Sequence, residues 1–116
     1  MEQPRDQIRF SVVVPAYNEA AYLGRALDSL QHQDYDGTYE IIVVDNNSTD
    51  NTATIAARYG VRLVKEAQQG VCAARQRGAD SARGEIIIST DADTTQPRDW
   101  LRTIDARFAA SQRIVA

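Results

Sequence analysis

Four short apolar runs alternate with four helical patterns along the chain. The runs are Phe10 to Val14, Glu40 to Val44, Val61 to Val64 and Glu85 to Ser89. The first, second and fourth are β-branched and nearly continuous, the pattern of strands covered on both faces in a parallel sheet. Between them, Leu23, Ala26, Leu27 and Leu30 recur at helical spacing and predict a helix from Glu19 to Gln31 with one buried stripe. A second helix is expected after Ser48 or Asp50, both good N-caps, running to Tyr59 before Gly60. The third spans Val71 to Arg83, where the small residues Ala74 and Gly78 allow close packing on a sheet. The fourth begins at Pro97, suited to a first helical position, and presents Trp100, Leu101, Ile104 and Phe108. Arg113 to Ala116 reads as the start of a fifth strand, so a truncated domain is expected. Strand-helix alternation implies right-handed crossovers and a three-layer α/β/α domain with a mostly parallel, Rossmann-like sheet over residues 1–116.

Composition narrows the classes. The 116 residues suffice for one core. Thirteen basic and sixteen acidic residues give a net charge of −3, without the clustered basic surface a nucleic-acid binder needs. No apolar run approaches the roughly 18 residues of a membrane span, and the first ten residues lack a signal peptide's apolar stretch. A single cysteine, Cys72, forbids an internal disulfide, so a reducing, cytoplasmic setting is expected. Docking at the cytoplasmic face of a membrane stays open.

In open parallel sheets, ligands bind beyond the carboxyl ends of the strands. Three strands lead there into polar residues: Pro15-Ala16-Tyr17-Asn18-Glu19, Asp45-Asn46-Asn47-Ser48-Thr49-Asp50 and Thr90-Asp91-Ala92-Asp93-Thr94. Asp91 and Asp93 suit a hard cation such as Mg²⁺ or Mn²⁺, which combines one or two carboxylates with phosphate oxygens. Alone, the pair reads more readily as loop carboxylates, one capping the next helix. Convergence of the three clusters favours the metal. His32, at the end of the first helix, suits the helix dipole. Cys72 reads as a buried thiol and Trp100 as a core residue.

VVVPAYNEAAYL, IIVVDNNSTDNT, GVCAARQRGADSARGEIIISTDAD and PRDWL, in this order, resemble the successive motifs of family 2 glycosyltransferases with the GT-A fold. That resemblance implies an inverting transferase with a nucleotide-diphospho-sugar donor and a divalent metal, Mn²⁺ or Mg²⁺. It places Pro15, Ala16, Tyr17 and Glu19 in the nucleoside pocket, with Tyr17 able to stack on the base, and Asp45 and Asn46 at the base. Many relatives carry two aspartates there, so Asn46 loosens the preference for a UDP-sugar over a GDP-sugar. Arg75 stands where it reaches the nucleotide or pyrophosphate, or else lies in solvent like Arg77 and Arg83. Asp93 corresponds to the direct metal ligand. Asp91 corresponds to a ribose contact or a water-mediated ligand. The acceptor, a sugar or lipid-linked molecule, is bound in the family by a segment beyond the metal motif, which also supplies the general base. The chain is therefore expected to hold the donor and to transfer sugar weakly or not at all by itself.

Two rivals remain. Asp91-Ala92-Asp93-Thr94-Thr95 also matches the D-x-D-x-T of haloacid-dehalogenase-type phosphatases, but these need a downstream lysine and the sole lysine, Lys65, lies upstream. A nucleotide-binding module without chemistry is the other, although G-x-G-x-x-G and the P-loop pattern are both absent.

Overall fold

The computed structural model describes residues 7–115, with side chains through Ala110. Four parallel strands, β1 (Phe10–Ala16), β2 (Tyr39–Asp45), β3 (Arg62–Lys65) and β4 (Ile86–Ser89), form one sheet in the order β3-β2-β1-β4. They alternate with α1 (Leu23–Gln31), α2 (Thr52–Arg58), α3 (Val71–Ser81) and α4 (Trp100–Val115). Val12 pairs with Ile41 on one side and Ile88 on the other. This register puts alternate residues of the central strands on two apolar faces.

On the first face Phe10, Val12, Val14, Ile41 and Val43 pack with Leu23, Leu27 and Leu30 of α1, Ala56 of α2 and Leu101 of α4. On the second, Val13, Ile42 and Val44 meet Ala74 of α3. The result is the expected three-layer arrangement. β1 extends through Pro15. Val13 accepts a bond from Thr90 N–H at the end of β4, and Ala16 one from Asn46 N–H at the end of β2. Pro15 would donate toward β4, past the point where their pairing ends at Val13–Ser89, so its missing N–H costs no ladder bond.

Buried polar groups lock the amino ends of the strands. Ser11 Oγ donates to Glu40 Oε2, which also accepts Arg83 N–H at 2.7 Å, while Arg62 Nη1 reaches Glu40 Oε1 at 2.8 Å. Gly84 N–H donates to Ser11 Oγ at 2.8 Å. A Cβ at Gly84 would lie 2.7 Å from the backbone of Phe10 and Ser11. On the opposite face Asp105 of α4 accepts from Tyr35 Oη at 2.6 Å and from Arg9 Nη2 at 2.9 Å. Tyr35 stacks at a tilt on Phe10, and burial followed by the Asp105 contact pushes its hydroxyl pKa up.

Several expectations need correction. Arg113 to Val115 continue α4 rather than opening a strand, and Ala116 lies outside the described residues. Extending a formed helix gains a hydrogen bond per residue without a new nucleation cost. α1 begins at Leu23, after a turn over Ala20 to Tyr22. α4 begins at Trp100, with Trp100 N–H bonded to the Pro97 carbonyl in a preceding turn. α2 is capped by Asn51, without a side-chain bond, although Asp50 Oδ1 accepts Thr52 N–H at 2.9 Å. Cys72 is exposed. It lies two residues before Ala74 on α3, about 200° around the helix from the packed stripe. Run four is covered on one face only: Ile87 is 49% exposed, because α3 packs over β1 and β2 while β4 forms the sheet edge. Phe108 is likewise exposed at 40%. His32 stands at the C-terminal end of α1, with Nδ1 2.8 Å from the Asp28 carbonyl, and Trp100 packs against the core.

Candidate functional site

The turns after β1 and β2 are bonded to each other. Asn18 adopts φ +52°, which asparagine tolerates better than other residues with a Cβ. Its N–H donates to Ser48 Oγ at 3.0 Å, and its Oδ1 accepts Thr49 N–H at 2.8 Å. Glu19 N–H donates to Thr52 Oγ1 and Ala20 N–H to Asp50 Oδ2. These contacts aim Tyr17, half exposed, and Glu19 over the carboxyl edge of the sheet.

A cleft of about 510 Å³ opens there. Pro15, Ala16, Tyr17 and Glu19 line it from the β1 turn, Asn46 from the β2 turn, and Asp91 and Asp93 from the β4 turn. Seven of the residues singled out in the sequence therefore share one cavity. Two do not line it. Asp45 is 4% exposed. Its Oδ1 accepts Ser48 N–H at 3.0 Å, and its Oδ2 lies 3.9 Å from Lys65 Nζ. The chain's one lysine thus stands beside Asp45. Arg75 lies outside the lining with its guanidinium 3.9 Å from Asp91 Oδ1, both groups more than half exposed.

The far wall was not read in advance. Gln69, Gly70, Val71 and Ala74 line the cleft from the loop before α3 and from its first turns. Gly70 caps α3 at φ +132°, a backbone conformation that residues with a Cβ rarely adopt. Glycine at that position was the available signal.

Burial first, then the charges of Asp93, Asp91 and Asp50, raises the Glu19 carboxyl above the usual carboxylate range. The cleft lining carries three acidic side chains, Glu19, Asp91 and Asp93, and no basic one, an arrangement that a cation would relieve. Among the described residues, no three His, Cys, Asp or Glu groups are gathered closely enough to hold a metal by themselves. Two exposed carboxylates fit an ion whose remaining ligands are water and phosphate oxygens, the usual situation for Mg²⁺ in nucleotide sites.

The model of glycosyl transferase family 2 matches residues 11–116. The chain belongs to this family. Glycosyltransferase AglE of Haloferax volcanii is 36% identical over 98 residues, covering 78% of this chain and 32% of that protein. The crystal structure of S. aureus TarS 1-349 in complex with UDP superposes with a TM-score of 0.80 at 31% identity, over 85% of this chain and 31% of that one. The mannosyltransferase PcManGT from Pyrobaculum calidifontis, in complex with GDP-Man and Mn²⁺, gives a TM-score of 0.74 at 36% identity, over 82% and 32%. The GT-A-like fold is shown by these likenesses. The chain spans about a third of the length of these relatives. No described helix is long and apolar enough to cross a membrane.

Proposed function

We propose that this chain is the donor-binding part of an inverting glycosyltransferase that takes a nucleoside-diphospho-sugar, a UDP-sugar before a GDP-sugar. The observation that carries the reading is the convergence of Pro15, Ala16, Tyr17, Glu19, Asn46, Asp91 and Asp93 on one cleft at the carboxyl edge of a parallel sheet. The UDP in TarS and the GDP-Man with Mn²⁺ in PcManGT support a ligand of this class.

In this reading Tyr17, half exposed at the rim, stacks on the base. Asp93 and Asp91 hold Mn²⁺ or Mg²⁺, which when bound neutralises charge on the departing diphosphate. Arg75, already beside Asp91, swings to the diphosphate once that carboxylate is otherwise engaged. Asp45 supports the β2 turn through Ser48 N–H. The acceptor, a sugar or a lipid-linked molecule, approaches from the face opposite the diphosphate, and its hydroxyl gives its proton to a general base outside the residues assigned here. We place it in the cytoplasm, docked at the membrane face where the acceptor is lipid-linked.

Calorimetric titration of the chain with UDP and with GDP, each with and without Mn²⁺, tests this reading. Binding of either nucleotide strengthened by Mn²⁺ is expected. Absence of binding to both, with metal present, would overturn it.

A further inference from the structure

Asn46 follows β2 directly, at the carboxyl edge of the sheet. It lines the cleft, yet it is 3% exposed and every polar atom it carries is engaged by protein. Its N–H donates to the Ala16 carbonyl at 2.8 Å. Its Nδ2 donates twice, to the Glu66 carbonyl at 2.9 Å and the Gln68 carbonyl at 2.7 Å. Its Oδ1 accepts Gly70 N–H at 2.9 Å, and its carbonyl accepts Gln69 Nε2 at 2.9 Å. Two carbonyls facing one end of the side chain and an N–H facing the other require an amide. A carboxylate has no proton for the carbonyls.

The segment so held is the cleft wall. Gln69 is exposed, and both it and Gly70 line the cavity. The Gln69 side chain is tethered by one N–H to Asn46, which leaves its second N–H and its carbonyl oxygen able to meet a polar edge in the cleft. We infer that Asn46 is a positioning residue that clamps the Glu66–Gly70 loop, and that Gln69, presented by this clamp, contacts the nucleoside of the bound donor. This deepens the donor-site reading and its second half rests on it. Asn46 thus acts on the nucleotide through the loop rather than by reading the base with its own amide.

The test uses the full 116-residue chain and three variants, with UDP plus Mn²⁺ as the probe. Asn46→Ala should raise hydrogen exchange at the Gly70 amide at least about tenfold, the scale expected for loss of a buried hydrogen bond, and should lower UDP affinity. The β1 amides from Val12 to Val14 should keep their protection, which reports that the sheet is intact. Asn46→Asp should bind UDP poorly at pH 8, where its carboxylate faces two carbonyls. Its affinity relative to wild type should recover toward pH 5, because a protonated carboxyl donates again. Gln69→Ala should weaken UDP binding while Gly70 exchange stays at the wild-type rate.

Unchanged Gly70 exchange in Asn46→Ala overturns the clamp. Loss of affinity in that variant without faster exchange means that Asn46 touches the nucleotide itself, which also overturns it. Wild-type affinity in Gln69→Ala overturns the role of Gln69. If Asn46→Ala loses β1 protection as well, the pH ratio of Asn46→Asp decides, and a ratio flat with pH counts against the clamp. If the wild-type chain binds neither UDP nor GDP, the donor-site reading and the Gln69 contact both fail, while exchange in the free protein still decides the clamp.

Discussion

Replacing Gly78 by alanine tests the packing that brings α3, and with it the cleft wall, onto the sheet. Gly78 is buried on α3 against β1. A Cβ at this position would overlap Val13 Cγ1 outright and lie 3.1 Å from Cγ2 and 3.2 Å from Cβ of the same side chain. Val13 is 1% exposed and packs with Ile42, Val44 and Ala74 in the second core cluster. A β-branched side chain also has few rotamers to escape into. Two effects of opposite sign compete. Alanine favours the helix by about 1 kcal/mol over glycine. Overpacking a filled core costs about 1–3 kcal/mol. With direct overlap on a buried, β-branched neighbour the upper part of that range applies, and a net loss of about 1–2 kcal/mol is expected. For a chain of this size that lowers Tm by roughly 4–8 °C. Urea unfolding of the wild type and Gly78→Ala measures it, with an unchanged m-value confirming two comparable transitions. In a Val13→Ala background the overlap is removed and the helix gain remains, so the same change should become neutral or stabilising, a coupling of about 1 kcal/mol or more. Gly78→Ala at or above wild-type stability in the unaltered background would refute the close contact.

Three further outcomes are expected. Gly84→Ala, whose Cβ would meet backbone of Phe10 and Ser11, should cost about 3 kcal/mol or more in chemical denaturation, because backbone cannot rotate away. At Glu40 burial alone would raise the carboxyl pKa, but bonds from Ser11, Arg83 N–H and Arg62 outweigh it and hold the group below the usual range. The folded state therefore favours the carboxylate. Its stabilisation is present above the unfolded value near 4.5 and is lost as pH falls through the folded one, so urea midpoints should drop below about pH 4.5, and less steeply in Glu40→Gln. Tyr35→Phe, which removes the bond to Asp105, should lower stability by about 1 kcal/mol in the same assay.

Much of the architecture was legible because its cause is local. Continuous β-branched runs such as Ile41 to Val44 have no polar face to offer solvent, and that alone predicts a sheet covered on both sides. The β1 turn and Asp91 to Asp93 follow from the rule that parallel strands carry their ligands at one edge, and the cleft is lined by Pro15, Ala16, Tyr17 and Glu19 from the one and by Asp91 to Asp93 from the other. What escaped depends on distant partners. Asn46 is spent on carbonyls twenty or more residues away, which no spacing in the sequence encodes. Asp45, which the resemblance implies at the base, is 4% exposed and accepts Ser48 N–H within its own turn, a local bond. Ile87 has the composition of a covered strand, but coverage depends on which strands α3 crosses. Arg113 to Val115 has the β-branched ending of a strand, and a run that short does not distinguish a strand from the last turn of a helix.

The central claim is that Asp91 and Asp93 hold a divalent ion together with the nucleotide's phosphates. The two carboxylates are too few to bind the ion firmly alone, so Mn²⁺ and UDP should bind interdependently. Electron paramagnetic resonance of free Mn²⁺, titrated with the chain, measures this directly. The free-ion signal should fall little with protein alone, fall sharply when UDP is added, and fall no further than the UDP-only control in Asp93→Ala. Equal loss of signal without UDP, or in Asp93→Ala with UDP, would contradict the account.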